Sequence, residues 1–273
     1  MRPLGYACQM TENRMNSGSG LWVFVFIGLA GGFLAGMFGV GGGIIMVPAL
    51  VIFAGMTQRV AAATSLAAII PAATVGCLGY AFSNQVDWLA ALVLAVGAVI
   101  GAQLGTYLMS RIPQSTLLWF FVSLQAVLMV SLWFSQPDRG ASMAWNFVSA
   151  LALFLLGTFT GTIAGLLGVG GGLVVVPALI IFFGSSDLVA KGTSLVMMIP
   201  GALSGTLANY RRSFVDVRAA TITGLAAAAL TPLGALAAHA VDPQLGNILL
   251  SLLLAFAAIR MVMTHLKQRR ETS

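Results

Sequence analysis

The chain has 273 residues, of which 59% are hydrophobic and only 7% are charged. A soluble globular protein carries about 25% charged residues, so this composition excludes a soluble protein with a surface of ordinary polarity. The net charge of +6 lies in short loops and tails, where it sets orientation in a membrane and indicates no nucleic-acid partner. Apolar runs of about twenty residues match helical membrane spans and lack the polar–apolar alternation of a β-barrel. The composition therefore predicts an all-α polytopic protein surrounded by membrane lipid.

Ten apolar segments follow in chain order, at 21–39, 44–56, 64–82, 89–110, 115–134, 143–168, 173–184, 193–210, 217–238 and 244–264. A polar linker, 135–142, divides them into a first membrane repeat, 21–134, and a second membrane repeat, 143–264. Residues 1–20 form a polar N-terminal tail, and residues 265–273 form a basic C-terminal tail.

The second segment, 44–56, is short for a hydrocarbon core of about 30 Å. Segments 21–39 and 44–56 therefore either cross the membrane separately or form a re-entrant hairpin that enters and returns. Both arrangements leave the flanking loops on the same sides. The sequence thus predicts about five helical elements in each repeat, and eight to ten membrane elements in all.

An internal duplication relates the two sets of segments. A shift of 129 residues aligns Gly32–Gly105 with Gly161–Gly234 without a gap, and 32 of these 74 positions are identical. Repeats in membrane proteins are related either by parallel or by inverted topology. The charges of the loops help to separate these two cases.

Loop charges favour inverted repeats. The loop at 83–87 holds no Lys or Arg, whereas its counterpart holds Arg211, Arg212 and Arg218. Basic loops face the cytoplasm, so equivalent loops of unlike charge are expected when the two halves face opposite ways. This topology places both termini and 11 of the 13 basic residues in the cytoplasm, with Arg139 and Lys191 outside. A parallel arrangement places ten basic residues in the cytoplasm and three outside, so the total count hardly separates the two topologies. The unlike charges of the paired loops are therefore the stronger argument.

The sequence Gly-Val-Gly-Gly-Gly occurs twice between apolar segments, at 39–43 and at 168–172. Neither run follows a strand or precedes Lys-Ser/Thr, so neither matches a nucleotide-binding loop. In a membrane, such a run breaks a helix and exposes backbone groups, which is tolerated only inside protein or beside a wet cavity. A helix that starts at Ile44 or Leu173 would direct its free N–H groups there, and its positive dipole end favours an anion. The alternative is that the glycines only allow close packing.

Hydroxyl pairs lie at a second matched position. Thr64-Ser65 and Thr193-Ser194 each open an apolar segment, where they are expected to cap a helix and to offer hydroxyl donors. Asn209 is expected to face the pathway, since it lies in a span just before Arg211. The predicted substrate-binding residues are Gly41, Gly42, Gly43, Thr64, Ser65, Gly170, Gly171, Gly172, Thr193, Ser194 and Asn209.

The groups that other mechanisms need are missing from the spans. All seven carboxylates lie in tails, in loops or at segment ends, and no Ser/His/Asp, Cys/His or zinc-protease pattern occurs. An enzyme, a metal site, a cofactor or a cation pump with a buried carboxylate relay is therefore not expected. A pathway poor in acidic groups, with hydroxyls and helix N-termini available, suits a small anion.

The two glycine motifs resemble those of a known family. "GGFLAGMFGVGGGIIMVPAL" and "GTIAGLLGVGGGLVVVPAL", each followed by "ATSL" or "GTSL" and then a proline, are similar to the sulfite exporter TauE/SafE family. The resemblance extends over about 21–264. It implies a transporter of the bacterial inner membrane that moves sulfite, sulfoacetate or a related sulfur anion, and it fixes neither the substrate nor the direction.

The residues and the resemblance together predict a secondary transporter that exports a small sulfur oxyanion bound between the two glycine runs. Nothing indicates an ATP site, so an ion gradient or the anion's own gradient is expected to drive transport, and sulfite could carry the proton itself. The alternatives are an uptake transporter or channel for another anion, such as thiosulfate or sulfate, and a membrane scaffold without transport. The sequence leaves open whether the protein is a homodimer.

Overall fold

The structure is a computed structural model that describes residues 18–134 and 146–241, together with isolated positions between 245 and 263. The predicted linker 135–142 and the predicted basic tail 265–273 lie outside the described residues. Residues 1–17 of the predicted N-terminal tail and most of the last apolar segment also lie outside them.

Nine α-helices and no strand lie within the described residues. In chain order they are α1 (Gly18–Phe38), α2 (Gly43–Phe53), α3 (Gln58–Phe82), α4 (Trp88–Arg111), α5 (Gln114–Phe134), α6 (Phe147–Leu167), α7 (Gly172–Phe183), α8 (Asp187–Arg211) and α9 (Val217–Ala240). Six of them, α1, α3, α4, α6, α8 and α9, are long and apolar enough to cross a membrane. The prediction of an all-α polytopic membrane protein is confirmed.

Each glycine run separates a long helix from a short one. The run at 39–43 lies between α1 and α2, and the run at 168–172 lies between α6 and α7. Positive φ values of 73° to 88° occur at Gly41, Gly42, Gly170 and Gly171. Residues with a Cβ rarely adopt this left-handed conformation, so the local backbone requires glycine at these turns.

Helices α3 and α8 begin earlier than the apolar pattern predicts. Thr57 is the N-cap of α3 and Ser186 is the N-cap of α8, and each hydroxyl accepts a hydrogen bond from the backbone N–H three residues later. The prediction that Thr64-Ser65 and Thr193-Ser194 cap these helices is wrong. Both pairs lie in the second helical turn, where all four residues are fully buried.

Close glycine contacts define the directions of four long helices. Gly28 of α1 packs on Thr223 of α9, and Gly36 packs on Thr231 two turns later, so these two helices run parallel. Helices α4 and α6 show the same register, in which Gly97, Gly101 and Gly105 pack in turn on Phe154, Thr158 and Thr162. In each pair, a helix from one repeat packs along a helix of the other repeat.

The remaining two long helices complete two opposed groups. α3 runs parallel to α9, because Gly224 meets Pro71 and Thr231 meets Gly76. α4 runs parallel to α8, with Gly201 beside Ala98 and, one turn on, Gly205 beside Ala102. The short connections 83–87 and 212–216 reverse the chain between α3 and α4 and between α8 and α9. Helices α1, α3 and α9 therefore point one way, and α4, α6 and α8 point the other way.

Because α1 and α3 share a direction, the chain must return between them. Gly42 packs against the carbonyl of Gly31, and the Met46 side chain also contacts Gly31, so the chain folds back along α1 before α2 begins. α2 has 11 residues, about half the length needed to span roughly 30 Å. The sequence left open whether both segments cross the membrane or form a re-entrant hairpin. In the structure, α1 is long enough to cross, and the short α2 leads the chain back towards the end at which α3 begins.

The parallel helix contacts generate a stability prediction. Gly101→Ala places a Cβ in overlap with the Thr158 carbonyl of α6, whereas Gly79→Ala meets only Ala235 Cβ at 3.7 Å, an ordinary contact. Overpacking of a tight interface costs about 1–3 kcal/mol. We expect Gly101→Ala to lower the thermal unfolding midpoint in detergent, and Gly79→Ala to leave it unchanged or slightly raised. Equal midpoints would contradict the close approach of α4 and α6.

Candidate functional site

The two glycine runs meet in the interior of the protein. A Cβ added at Gly43 would lie 2.5 Å from the carbonyl O of Gly168, and one added at Gly172 would lie 2.5 Å from the carbonyl O of Gly39. Every residue of both runs is buried. The runs therefore form one central crossing, which we call the glycine crossing (residues 39–43 and 168–172).

Helices α2 and α7 both begin at the glycine crossing. Their N-caps are Gly42 and Gly171, and neither helix start receives a side-chain cap. By contrast, side chains of Thr57, Asp87, Asn146, Ser186 and Asp216 cap α3, α4, α6, α8 and α9. The first N–H groups of a helix have no partner within it, and they carry the positive end of the helix dipole. Two such positive ends thus point into the same buried region.

Ile69 and Met198 fill the space between the two runs. They are equivalent residues under the 129-residue shift, and they lie near the middle of α3 and α8. A Cβ added at Gly41 would lie 2.7 Å from Met198 Sδ and 3.2 Å from Ile69 Cγ2, and one at Gly170 would lie 3.1 Å from both side chains. An anion at the helix starts therefore needs these two side chains to move, which the flexible thioether of Met198 allows.

The predicted serines tie each run to the opposite repeat. The Ser65 hydroxyl donates to the carbonyl O of Gly168 at 3.0 Å. The equivalent Ser194 hydroxyl donates to the carbonyl O of Gly39 and lies 3.1 Å from the carbonyl O of Lys191. Both serines therefore lie at the glycine crossing, each beside the run of the opposite repeat, and their hydroxyls satisfy buried carbonyls there.

The predicted threonines lie one residue away and point to the loops of the opposite repeat. Thr64 Oγ1 accepts a hydrogen bond from the backbone N–H of Asp216 at 3.1 Å, and Thr193 Oγ1 accepts one from the N–H of Asp87 at 3.0 Å. Each Asp is the N-cap of the next long helix. The two threonines thus position the starts of α4 and α9, and they connect those starts to the glycine crossing through the adjacent serines.

Asn209 is a buried polar residue without a partner. It is 0% exposed, and neither its side-chain oxygen nor its side-chain nitrogen has a hydrogen-bond partner. Gln58 is 2% exposed and is also unpartnered. Because α3 and α8 are antiparallel, the first residue of α3 and the last turn of α8 lie at the same end of the molecule. An unpaired buried amide costs about 1–3 kcal/mol, so this end holds groups that a polar ligand could satisfy.

The equivalent of Asn209 in the first repeat is Tyr80. The Tyr80 hydroxyl donates to the carbonyl O of Gly36 at 2.7 Å and is fully buried. At the end of the molecule that holds Tyr80, this position is therefore filled by an aromatic ring with a satisfied hydroxyl. The opposite end has the shorter Asn209 in the same place.

Two charged residues near the glycine crossing were not among the predicted site residues. Lys191 Nζ lies 2.8 Å from Asp187 Oδ2, and the two residues are 8% and 5% exposed. Lys191 lies in the second turn of α8 with its Cα against Gly39 and is buried, while its position on the outer side of the membrane stays a prediction. The Asp-x-x-x-Lys spacing at a helix start is the sequence signal that could have revealed the pair.

No group of three His, Cys, Asp or Glu side chains in the described part of the chain could hold a metal ion. The chemistry that the site offers is backbone N–H groups, hydroxyls, amides and one ion pair. Groups of these kinds can bind an ion by hydrogen bonding and by charge.

A family model described as Sulfite exporter TauE/SafE matches residues 4–132 and 153–273. The chain belongs to the sulfite exporter TauE/SafE family. The resemblance seen in the glycine motifs is thereby confirmed, and the TauE/SafE match covers both repeats.

Relatives of this TauE/SafE chain come from bacteria and an archaeon. A probable membrane transporter protein of Xylella fastidiosa (strain 9a5c) is 31% identical over 201 residues, which cover 71% of this chain and 76% of the relative. The probable membrane transporter protein YunE of Bacillus subtilis is 25% identical, with 71% and 80% covered. The probable membrane transporter protein MJ0441 of Methanocaldococcus jannaschii is 22% identical, with 88% and 95% covered. No solved structure matches the chain.

The hydrogen bonds that Thr64 and Thr193 accept from the opposite repeat generate a second prediction. Thr64→Val keeps the shape of the side chain but removes the acceptor for the Asp216 N–H, which then lacks its partner. We expect the free energy of unfolding in detergent to fall by about 1–3 kcal/mol. Thr64→Ser keeps the hydroxyl and serves as the control. A Thr64→Val protein as stable as the Thr64→Ser protein would contradict a role for this hydrogen bond.

Proposed function

We propose that this protein is a secondary transporter that exports a small sulfur oxyanion, such as sulfite or a sulfoacetate-like organosulfonate, across the bacterial inner membrane. The observation that carries the proposal is the meeting of two uncapped, buried helix starts, α2 and α7, at the glycine crossing. Membership of the TauE/SafE family supports the same class of substrate.

The physics of the site favours an anion over a cation. Two helix N-termini contribute roughly half a positive charge each, and they do so where neighbouring protein excludes water. Their uncapped N–H groups match the oxygens of an oxyanion. The hydroxyls of Ser65 and Ser194 lie beside these groups, and Gly172 is 3.1 Å from Ser194 Oγ when given a Cβ. Asn209, at one end of α8, adds an amide that has no other partner.

The helix directions support an inverted relation between the repeats. Each long helix of the first repeat points opposite to its equivalent in the second, as α1 does to α6, α3 to α8 and α4 to α9. Such a relation lets two similar halves present the same central site to either side of the membrane. The two half-length helices, α2 and α7, then extend from the central site towards opposite faces of the membrane.

The distribution of charge supports an orientation. Arg59, Arg111, Arg211, Arg212 and Arg218 lie at the end where α3 begins and α8 ends, and Lys191 is the one described Lys or Arg near the other end. Under the positive-inside rule this arginine end faces the cytoplasm. The substrate-binding groups contributed by Gln58 and Asn209 would then lie on the cytoplasmic side, where an exporter collects its substrate.

A transport assay tests the glycine crossing with a matched pair of variants. Gly170→Ala and Gly184→Ala both place a Cβ on a left-handed backbone, with φ of 88° and 64°, at a cost of about 1–2 kcal/mol. Only Gly170 lies at the crossing, since a Cβ at Gly184 meets nothing within 4 Å. In proteoliposomes supplied with sulfite, thiosulfate, sulfate or sulfoacetate, we expect the wild type and Gly184→Ala to move at least one anion and Gly170→Ala to lose at least tenfold in rate.

The outcomes separate the alternatives. A scaffold without transport gives no flux of any of the four anions with the wild-type protein. A channel gives flux whose rate follows the anion gradient and produces an uncoupled current. Equal rates for Gly170→Ala and Gly184→Ala, with both proteins folded, would refute binding at the glycine crossing while leaving transport itself intact.

Cysteine labelling tests the orientation and the inverted relation together. Asn84 and Ser213 are equivalent, exposed turn residues with positive φ, after α3 and α8 respectively. In a background without Cys8 and Cys77, we expect a membrane-impermeant thiol reagent to label Asn84→Cys in intact spheroplasts and Ser213→Cys only after permeabilisation. Labelling of both positions from the same side would contradict inverted repeats.

A further inference from the structure

The ion pair between Lys191 and Asp187 is the feature that the proposed function leaves unused. The ammonium and the carboxylate are 2.8 Å apart, and both residues are more than nine-tenths buried. They lie on successive turns at the start of α8. Ionisable groups inside a membrane protein are costly, and they commonly mark ion pathways and proton relays.

The duplication supplies an internal control for the role of this pair. Under the 129-residue shift, Gln58 and Ala62 stand where Asp187 and Lys191 stand. Helix α3 begins as α8 does, with a hydroxyl N-cap and the same length of 25 residues. The fold therefore does not require charges at these positions. Since a buried ion pair is often no more stabilising than uncharged residues of similar size, its presence on one side calls for a functional explanation.

The pair is close to the glycine crossing. A Cβ added at Gly39 would lie 2.6 Å from Lys191 Cα, and the Ser194 hydroxyl, which donates to Gly39, is 3.1 Å from the Lys191 carbonyl O. A movement of the first turns of α8 thus reaches the site through Ser194. Among the described residues, Lys191 is also the one Lys or Arg near this end of the molecule.

Three other titratable groups face this region from the neighbouring helices. Tyr80 of α3 donates to the carbonyl O of Gly36, and its Cβ packs against Gly192 of α8. His239 of α9 stacks on Tyr80 with ring centroids 5.7 Å apart, and its Nδ1 bonds to the Ala235 carbonyl O. Asp87, before α4, accepts from the Ala90 N–H. The Lys191 ammonium has its ion pair with Asp187 and with none of these three.

We propose that Lys191 and Asp187 couple anion movement to a proton, with Asp187 as the proton acceptor and Lys191 as the alternate partner of the anion. In the resting state, the ammonium pairs with the carboxylate. When a proton binds the Asp187 carboxylate, the Asp187–Lys191 ion pair is lost, and the ammonium becomes free to pair with the anion at the adjacent glycine crossing. This inference rests on the proposed function, because it needs a transported anion.

The exchange conserves charge inside the protein. One proton and one monovalent anion enter together, so a pair with zero net charge becomes a protonated carboxylic acid beside an ammonium–anion pair, again with zero net charge. For a singly charged anion such as hydrogensulfite, no uncompensated charge is buried, which avoids a cost of several kcal/mol. A doubly charged anion leaves one negative charge in the site. On release, the anion and the proton leave together, and the ion pair of Lys191 with Asp187 forms again. Export therefore proceeds when the outward gradient of the anion exceeds the inward gradient of protons.

The test compares four proteins in proteoliposomes with an imposed pH gradient, using the anion among sulfite, thiosulfate, sulfate and sulfoacetate that the wild type moves fastest. Coupling of one proton to one anion gives about tenfold accumulation per pH unit. We expect this accumulation for the wild type and for Asp187→Glu, which keeps a carboxylate. For Asp187→Asn we expect an accumulation ratio near one, with exchange of labelled for unlabelled anion retained.

The fourth protein is a control that separates the loss of the ion pair from a folding defect. The double variant Asp187→Gln, Lys191→Ala copies Gln58 and Ala62 of the first repeat, so its helix start has a precedent in the same chain. We expect it to fold, to accumulate no anion under a pH gradient, and to exchange anion at least tenfold more slowly than Asp187→Asn because the ammonium is gone.

The results distinguish this inference from the proposed function. If Asp187→Asn accumulates anion as the wild type does, the proton travels elsewhere, for example on sulfite itself, and the coupling role of the pair is overturned while transport stands. The coupling role is also overturned if the wild type exchanges anion but shows no response to the pH gradient. If the wild type moves none of the four anions, the proposed function is refuted, and the coupling role is refuted with it.

Discussion

The structure depends on two stretches of glycine backbone that cross inside the protein. At the crossing, each run lies so close to the other that a single Cβ would collide with a carbonyl, as at Gly43 and Gly172. The positive φ values of Gly41 and Gly170 reverse the chain there, so that α2 and α7 start in the interior rather than at a surface. An interior helix start has free N–H groups that lipid cannot satisfy. The helices around the crossing must therefore enclose it completely.

The helices that enclose the crossing pack against helices of the other repeat. α1 packs along α9 and α6 packs along α4, and in both cases glycines let the backbones touch. Small residues are the usual means of close helix association in membranes, where no hydrophobic force acts between helices. Hydrogen bonds also join the two repeats. Ser65 and Thr64 bond to residues of the second repeat, and their equivalents Ser194 and Thr193 bond to residues of the first. Neither half could complete its own central region alone.

Sequence reasoning succeeded where the signal was repeated or periodic. Helix class, the duplication and the glycine runs follow from composition and from a shift of the sequence against itself. It failed at the starts of α3 and α8, because Gln58 and Arg59 in one first turn and Asp187 in the other read as a loop when hydropathy alone is considered. Thr57 and Ser186 nevertheless cap helices there. It also missed the ion pair of Lys191 with Asp187, since a charge beside an apolar run looks solvated and only the fold shows that the two residues are buried together. The convergence of residues 39–43 with residues 168–172 depends on tertiary packing, which spacing cannot show.

The pairing of α1 with α9 has a consequence for biogenesis. The glycine face of the first helix is complementary to a helix that ends at Ala240, about 200 residues later in the chain. At a synthesis rate of roughly 5–20 residues per second, this partner emerges some 10–40 s after α1. During that interval the glycine stripe of α1 must be shielded by lipid or by the insertion machinery, because α2 folds back on Gly31, which lies on another face of α1. Helix α1 thus meets its main neighbour only after the helices that lie between them in the chain have been synthesised.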